Sequence, residues 1–456
     1  MRALPHSAVP GVEWPALPQA PAATTLALLF QLSQSEWWPR ETLEHLQLAQ
    51  LTALLRHARE TVPFYRDRLD PTRIDPAAPL DWETWRRIPT LSRSDVQGAG
   101  EALASTAPPP SHGRVWRSST SGSTGVPVHT LKTDLSRRLW RVFTLRDHWW
   151  HRRELGGRLA AIRYVPGGRA EPPDGLASPG WDREIERVFR TGPGHLLSVK
   201  APVEAQAEWL RRIAPDYLVT YPSNLEALAR HFLVRGLALP SLRHLTTVGE
   251  AVPTGLPEVC RQAWGLRLAD VYSTVEVGYL AIQCPEHDHY HVQSEGVLVE
   301  VVDDEGRPCP PGGVGRVLAT PLHNLAMPLL RYELGDYAEV GGPCPCGRGL
   351  PVLRRVLGRA RNLLCLPDGR RVWATPGFSR LREAVPVRQL QLVQHSVTGL
   401  ELRFVPERPL LEAERETLRQ VLLEGLEHPF EVTLTEVAEI PRGAGGKHEE
   451  LISRLA

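Results

Sequence analysis

Between residues 41 and 68 the leucines Leu43, Leu46, Leu51, Leu54 and Leu55 fall at helical spacing, and Pro63 interrupts the run. That pattern predicts one or two amphipathic helices broken near the proline. Helical patterns return at 203–213, 224–235 and 256–264, and short apolar runs at 217–220, 245–248 and 268–272 alternate with them. Strands alternating with helices predict a parallel sheet. After Tyr272 the texture changes: 296–302 and 314–320 read as strands joined by the turn Asp303-Asp304-Glu305-Gly306, and 341–349 is rich in proline and glycine. Beyond Gly358 the pattern is that of a small α+β unit, with strands near 389–393, 400–404 and 431–434. Between the last two lies an amphipathic helix carrying Leu411, Leu418, Leu422 and Leu426. The first 35 residues, rich in proline and alanine, read as an irregular lead-in. A chain of 456 residues exceeds one ordinary core. The expected architecture is a large N-terminal α/β domain over 1–357 and a small mobile α+β domain over 358–456.

Composition narrows the function classes. Hydrophobic residues make up 42% and charged residues 23%, with a net charge of +1, so neither nucleic acid nor acidic lipid would be drawn in bulk. No segment approaches the roughly 20 apolar residues of a membrane span. The N-terminus lacks the three-part pattern of a signal peptide, because the apolar stretch from Leu26 to Phe30 is too short. These features lead to the expectation of a cytoplasmic protein with access to ATP. Of the 53 basic residues only three are lysine: Lys132, Lys200 and Lys447. Arginine and lysine differ in shape and hydration, so a site needing a compact ammonium resists replacement.

Two clusters carry candidate chemistry. The stretch Ser118-Ser119-Thr120-Ser121-Gly122-Ser123-Thr124-Gly125-Val126-Pro127 puts six hydroxyls and two glycines ahead of a proline. Glycine lets successive N–H groups turn towards one concavity that binds an anion. No Gly-Lys-Ser/Thr follows, so it is not a Walker loop. A flexible Ser/Gly linker is the bland alternative. The six cysteines do not form a disulfide framework, since none precedes Cys260 and two sit in the turn Cys344-Pro345-Cys346-Gly347. Cys284, Cys344 and Cys346, with one of His287, His289 and His291, make a set suited to a closed tetrahedral zinc site.

The serine-rich loop resembles the Thr-Ser-Gly-Ser/Thr-Thr-Gly-x-Pro signature of the acyl-adenylate-forming enzymes. Further resemblances follow in order: Gly249-Glu250 after a strand, Tyr272-Ser273-Thr274-Val275-Glu276, Arg331-Tyr332-Glu333-Leu334-Gly335-Asp336, Gly358-Arg359, and Pro441-Arg442-Gly443-Ala444-Gly445-Gly446-Lys447. One such motif is weak, but six in order over 118–447 are specific. Val62-Pro63-Phe64-Tyr65-Arg66, Pro328-Leu329-Leu330-Arg331-Tyr332 and Cys344-Pro345-Cys346-Gly347-Arg348 are similar to segments of the phenylacetate–coenzyme A ligase branch.

The resemblance implies that a carboxylic acid is activated with ATP to an acyl-adenylate and passed to a thiol, with coenzyme A as the acceptor and an aryl or arylacetic acid as substrate. It implies that Ser121, Gly122, Ser123, Thr124 and Gly125 cradle the phosphates, and that Gly249, Glu250, Tyr272 and Ser273 form the adenine pocket, with Tyr272 stacking on the base. Asp336 would hold the ribose, an assignment consistent with a carboxylate accepting two hydroxyl protons. Glu276 would bind the Mg²⁺ of MgATP, as hard cations take carboxylate oxygens. Arg359 would contact the nucleotide and Arg361 mark the hinge. Lys447 would offset the charge that builds when a carboxylate attacks phosphate. Similarity to the branch favours His291 as the fourth zinc ligand beside Cys284, Cys344 and Cys346. The acid pocket is expected between Tyr221-Pro222-Ser223 and the Tyr272 turn, near the aromatic stretch 140–150.

Three departures stand out. Val126 and Val128 flank the proline where the family often has lysine, Val275 replaces a hydroxyl residue, and Ser273 replaces glycine. Each lost charge-assisted bond costs on the order of 1–3 kcal/mol. Rival readings are a ligase that loads a carrier protein or an amine, and a nucleotide-binding module without chemistry. The sequence leaves a homodimer open.

Overall fold

The computed structural model describes residues 5–69, 74–75, 78–119, 127–359, 362–373, 378–426, 428–442 and 448–455. The chain is already helical at α1 (Ala20–Ser35), so the expected lead-in is irregular only up to that point. Pro21 sits in the first turn, where its missing N–H has no partner to lose. Ala22, Leu29 and Leu32 are buried, which is why this stretch folds despite its composition. Helix α2 (Arg40–Thr61) buries Leu51, Leu54, Leu55 and Ala58 to 2% exposure or less, and α3 (Pro63–Leu69) begins at the proline that breaks the pattern. Each fully buried leucine contributes about 1.5–3 kcal/mol. Two short helices follow, α4 (Trp82–Arg86) and α5 (Arg93–Ala99), the second fixed by a reciprocal capping box between Ser92 and Asp95. The antiparallel strands β1 (Val115–Ser119) and β2 (His129–Thr133) flank the serine-rich loop. Helix α6 (Asp134–Trp150) starts at once, capped by the Thr133 hydroxyl.

The main sheet then builds from β3 (Leu159–Arg163), β4 (Leu176–Ser178) and β5 (Gly194–Ser198). Helix α7 (Val203–Ile213) leads to β6 (Tyr217–Thr220), α8 (Pro222–Arg235) to β7 (His244–Val248), and α9 (Leu256–Trp264) to β8 (Leu268–Thr274). Strands β9 (Gly278–Gln283), β10 (Tyr290–Val292), β11 (Val297–Val302), β12 (Val314–Pro321), β13 (Tyr332–Val340) and β14 (Val352–Arg359) complete it. The order is β11-β12-β13-β14-β10-β9-β8-β7-β6-β3-β5-β4. From β5 through β3, β6 and β7 to β8 the pairing is parallel, as the alternating pattern predicts. From β8 onward it is antiparallel, so the sheet is mixed, not parallel throughout. The cause is local: only three residues join β8 to β9, and so short a turn cannot return a strand in parallel.

The second unit contains β15 (Leu363–Cys365), β16 (Arg371–Trp373), α10 (Phe378–Ala384), β17 (Val387–Gln394), β18 (Gly399–Pro406), α11 (Glu412–Leu426), β19 (Glu431–Glu436) and β20 (Leu451–Ser453). Its sheet order is β19-β18-β17-β20. Leu418 and Leu422 of α11 pack with Leu390, Leu392, Leu402 and Phe404. Leu411 precedes the helix and is 65% exposed, so it is not part of the predicted apolar face.

Candidate active site

A cavity of about 3160 Å³ runs along the strand ends, between the main sheet and the small unit. Small-molecule pockets are typically about 300–1,000 Å³, so this space accommodates more than one reactant. Gly249 opens it at the end of β7 with φ 82°, a left-handed turn that favours glycine. The next residue, Glu250, accepts the Ser223 N–H (3.0 Å) and, from the small unit, the His448 N–H (2.8 Å). Burial pushes its carboxyl above the ordinary range. Arg442 reaches the Ser223 hydroxyl at 3.0 Å. Arg382 of α10 binds both Glu226 of α8 (3.1 Å) and Glu450, so the two units are joined by charged and backbone contacts.

On the other side, Tyr272 at the end of β8 donates its hydroxyl to Asp336 Oδ2 (2.8 Å). Asp336 lies in β13 directly opposite Arg359 of β14, whose Nε is 3.7 Å from Asp336 Oδ1. Burial, then the neighbouring carboxylate, holds the Tyr272 phenol well above its usual pKa. The motifs around Tyr272, Asp336 and Arg359 therefore converge although up to 87 residues separate them in sequence. Ser273 also lines the cavity.

Glu276 lies in the turn after β8, its side chain 12% exposed, with Arg93 Nη1 at 3.8 Å. Arg93 carries no motif and the sequence reading missed it. What places it is remote pairing: the Leu91 N–H donates to Arg331 O (3.1 Å), and the Glu333 N–H to Leu91 O (2.9 Å), docking α5 on β13. Arg331 itself is structural. Its guanidinium bonds the carbonyls of Arg86 and Ile88 (2.7 Å each) and pairs with Glu300 (3.1 Å). The phosphate-loop residues Ser121, Gly122, Ser123, Thr124 and Gly125, the hinge Arg361 and Lys447 lie outside the described residues.

The face towards α6 is aromatic. Trp140 meets the Tyr279 ring edge-on at 4.9 Å, Phe143 lies 6.1 Å from the same ring, and the Tyr279 hydroxyl meets Thr144 at 3.0 Å. Deeper, Asp270 accepts hydrogen bonds from Thr247 (2.6 Å) and Tyr290 (2.9 Å), and burial raises its pKa to about 7.

A separate cluster sits at the turn between β9 and β10. The donor atoms of Cys284, His289, His291 and Cys344 all lie within 4.8 Å of one another. Cys346 Sγ touches His291 Nε2 at 3.4 Å but falls outside that tightest set, whereas His289 enters it. The buried His289 Nε2 has no hydrogen-bond partner among the described residues. Burial lowers the His291 pKa to about 3, which keeps the ring neutral and its lone pair available.

Against known proteins, no protein-family model matches the chain. It is 26% identical over 442 residues to the phenylacetate–coenzyme A ligase of Thermus thermophilus, covering 90% of this chain and 96% of the relative. Against the phenylacetate–coenzyme A ligase of Escherichia coli it is 25% identical over 336 residues, 72% of this chain and 73% of that one. Among solved structures, 2-hydroxyisobutyryl-CoA ligase in its postadenylation state with 2-HIB-AMP superposes with a TM-score of 0.72 at 20% identity, covering 92% of this chain and 91% of the other. In fold the chain is similar to an acyl-CoA ligase that carries an acyl-adenylate, and in sequence it is similar to the phenylacetate–coenzyme A ligases.

Proposed function

We propose that this protein activates a carboxylic acid with ATP and passes the acyl group to coenzyme A. The carrying observation is the convergence of Tyr272, Asp336, Arg359 and Glu276 on one cavity, in the order and fold of the acyl-adenylate-forming enzymes. In the first step a carboxylate oxygen of the acid attacks the α-phosphorus of ATP and pyrophosphate leaves. In the second the coenzyme A thiol, losing its proton, attacks the acyl carbon and AMP leaves. Asp336 binds the ribose hydroxyls, Tyr272 lies against the adenine, and Gly249, Glu250 and Ser273 complete that pocket. Arg359 contacts the nucleotide. The loop from Ser121 to Gly125 holds phosphate, and Lys447 lowers the cost of bringing two anions together.

Glu276 suits Mg²⁺, being a largely buried carboxylate beside the path of the phosphates. When bound, that ion supplies Lewis-acid stabilisation of the phosphoryl charge. The acid is aryl or arylacetic, a reading supported by Trp140, Phe143 and Tyr279 along α6. The cysteine–histidine cluster suits structural zinc: soft sulfurs, neutral imidazole and an unpartnered buried nitrogen are what such a site requires. We place the domain boundary at Gly358, at the end of β14, with the small domain moving about it between the two steps. No described helix is long and apolar enough to cross a membrane, and a cytoplasmic location is part of the proposal. The test is to incubate the protein with ATP, Mg²⁺, coenzyme A and a panel of aryl acids, and to look for AMP and acyl-coenzyme A by mass spectrometry. Acyl transfer to a carrier-protein thiol alone would replace the acceptor, and absence of both products would overturn the reading.

A further inference from the structure

Lys132 belongs to none of the motifs above. It lies on β2, opposite Trp116 of β1, three residues past the Ser119–His129 rung that closes the serine-rich loop. Its side chain lines the active-site cavity, and no other lysine does so among the described residues. In a chain with three lysines among 53 basic residues, an ammonium kept here is a departure from the prevailing use of arginine. The side chain is half-buried in that cavity: burial lowers its pKa to about 8, and the charge acting against that shift is Glu276. Yet the Lys132 ammonium makes no ion pair within 4.0 Å and no hydrogen bond among the described residues, while Glu276 already has Arg93. A half-buried cation with no close partner among the described residues is placed to receive an anion. No lysine precedes Lys132 in the chain, and Val128, beside the loop's proline, is 1% exposed in the core cluster that includes Leu103 and Met327.

Resting on the adenylation reading, we propose that Lys132 contacts the β- and γ-phosphates of ATP and the departing pyrophosphate, standing in for the lysine that the loop lacks. Its place is three residues beyond the Ser119–His129 rung, on the strand that leaves the serine-rich loop, where the charge of Glu276 acts on it. A compact ammonium at that point stabilises the leaving pyrophosphate as its charge builds. This makes a sharp distinction between ligands: ATP and pyrophosphate need Lys132, and AMP does not.

The experiment is calorimetric titration of the full chain with MgATP, magnesium pyrophosphate and AMP separately, using wild type, Lys132→Met and Lys132→Arg. Lys132→Met should bind MgATP and pyrophosphate at least tenfold more weakly and AMP within twofold of wild type. Lys132→Arg should recover part of the loss. Equal loss of AMP and ATP binding would assign Lys132 a structural role and overturn the proposal. So would unchanged ATP and pyrophosphate binding in Lys132→Met while wild type binds nucleotide normally. A wild type that binds neither ATP nor AMP would instead overturn the adenylation reading, and this inference with it.

Discussion

Replacing Asp336 by asparagine tests the ribose contact with almost no change of shape. One carboxylate oxygen of Asp336 accepts the Tyr272 hydroxyl at 2.8 Å, and the other faces Arg359 at 3.7 Å. A ribose diol bound here would donate to the carboxylate, through charge-assisted bonds worth about 1.5–3 kcal/mol each. Asparagine keeps one acceptor oxygen, which Tyr272 would continue to occupy, and turns an NH₂ towards the diol. One charged bond is lost and a second weakened, about 2–3 kcal/mol in all. That converts to an ATP KM raised about 30- to 150-fold. The contact is present in ground state and transition state alike, so kcat should change little. The assay is initial-rate pyrophosphate release at saturating acid and varied ATP, with a thermal melt to show that the fold is intact. An ATP KM within threefold of wild type would refute the role assigned to Asp336.

Lys447→Ala should cut adenylation by at least ~100-fold while leaving nucleotide binding in place, and near-normal pyrophosphate release would remove Lys447 from the mechanism. Metal analysis of the purified protein should find about one zinc per chain. Cys284→Ser should lower that content and the melting temperature together, and a fully folded metal-free wild type would end the zinc assignment. Asp270 gives a pH prediction. Its folded pKa of about 7 lies above the ordinary carboxylate value, so between pH 4 and 7 the folded chain retains a proton that the unfolded chain releases. Stability therefore falls as pH rises through that window, by up to about 4 kcal/mol. Asp270→Asn should flatten the decline in urea midpoints between pH 5 and 8, and parallel declines in both proteins would contradict the cause given.

Much of the site is written locally. The turn after β8, the Gly335-Asp336 step in β13 and the Gly358-Arg359 end of β14 each carry their residues in recognisable order, and the fold brings the three together. The break at Pro63 and the parallel run from β6 to β8 follow equally from local pattern. What local pattern does not hold is contact between distant segments. Arg93 reaches Glu276 only because Leu91 bridges to Tyr332, some 240 residues on. His289 joins the metal-type cluster because β9, β10 and β14 pair side by side, a closure that cysteine spacing alone does not give. Helix α1 is hidden by the prolines that precede and open it, since its stabilisation comes from burial against α6 and not from propensity. The polar floor at Asp270, likewise, is visible only once β7, β8 and β10 are placed.

The most direct test is acid-dependent exchange of pyrophosphate into ATP, measured over a panel of aromatic, aliphatic and amino acids with AMP binding as a control. The account predicts exchange that depends on an aryl or arylacetic acid, is abolished in Lys447→Ala, and persists without coenzyme A. Confirmed AMP and ATP binding with no exchange for any acid would contradict it, and would leave a nucleotide-binding module in its place.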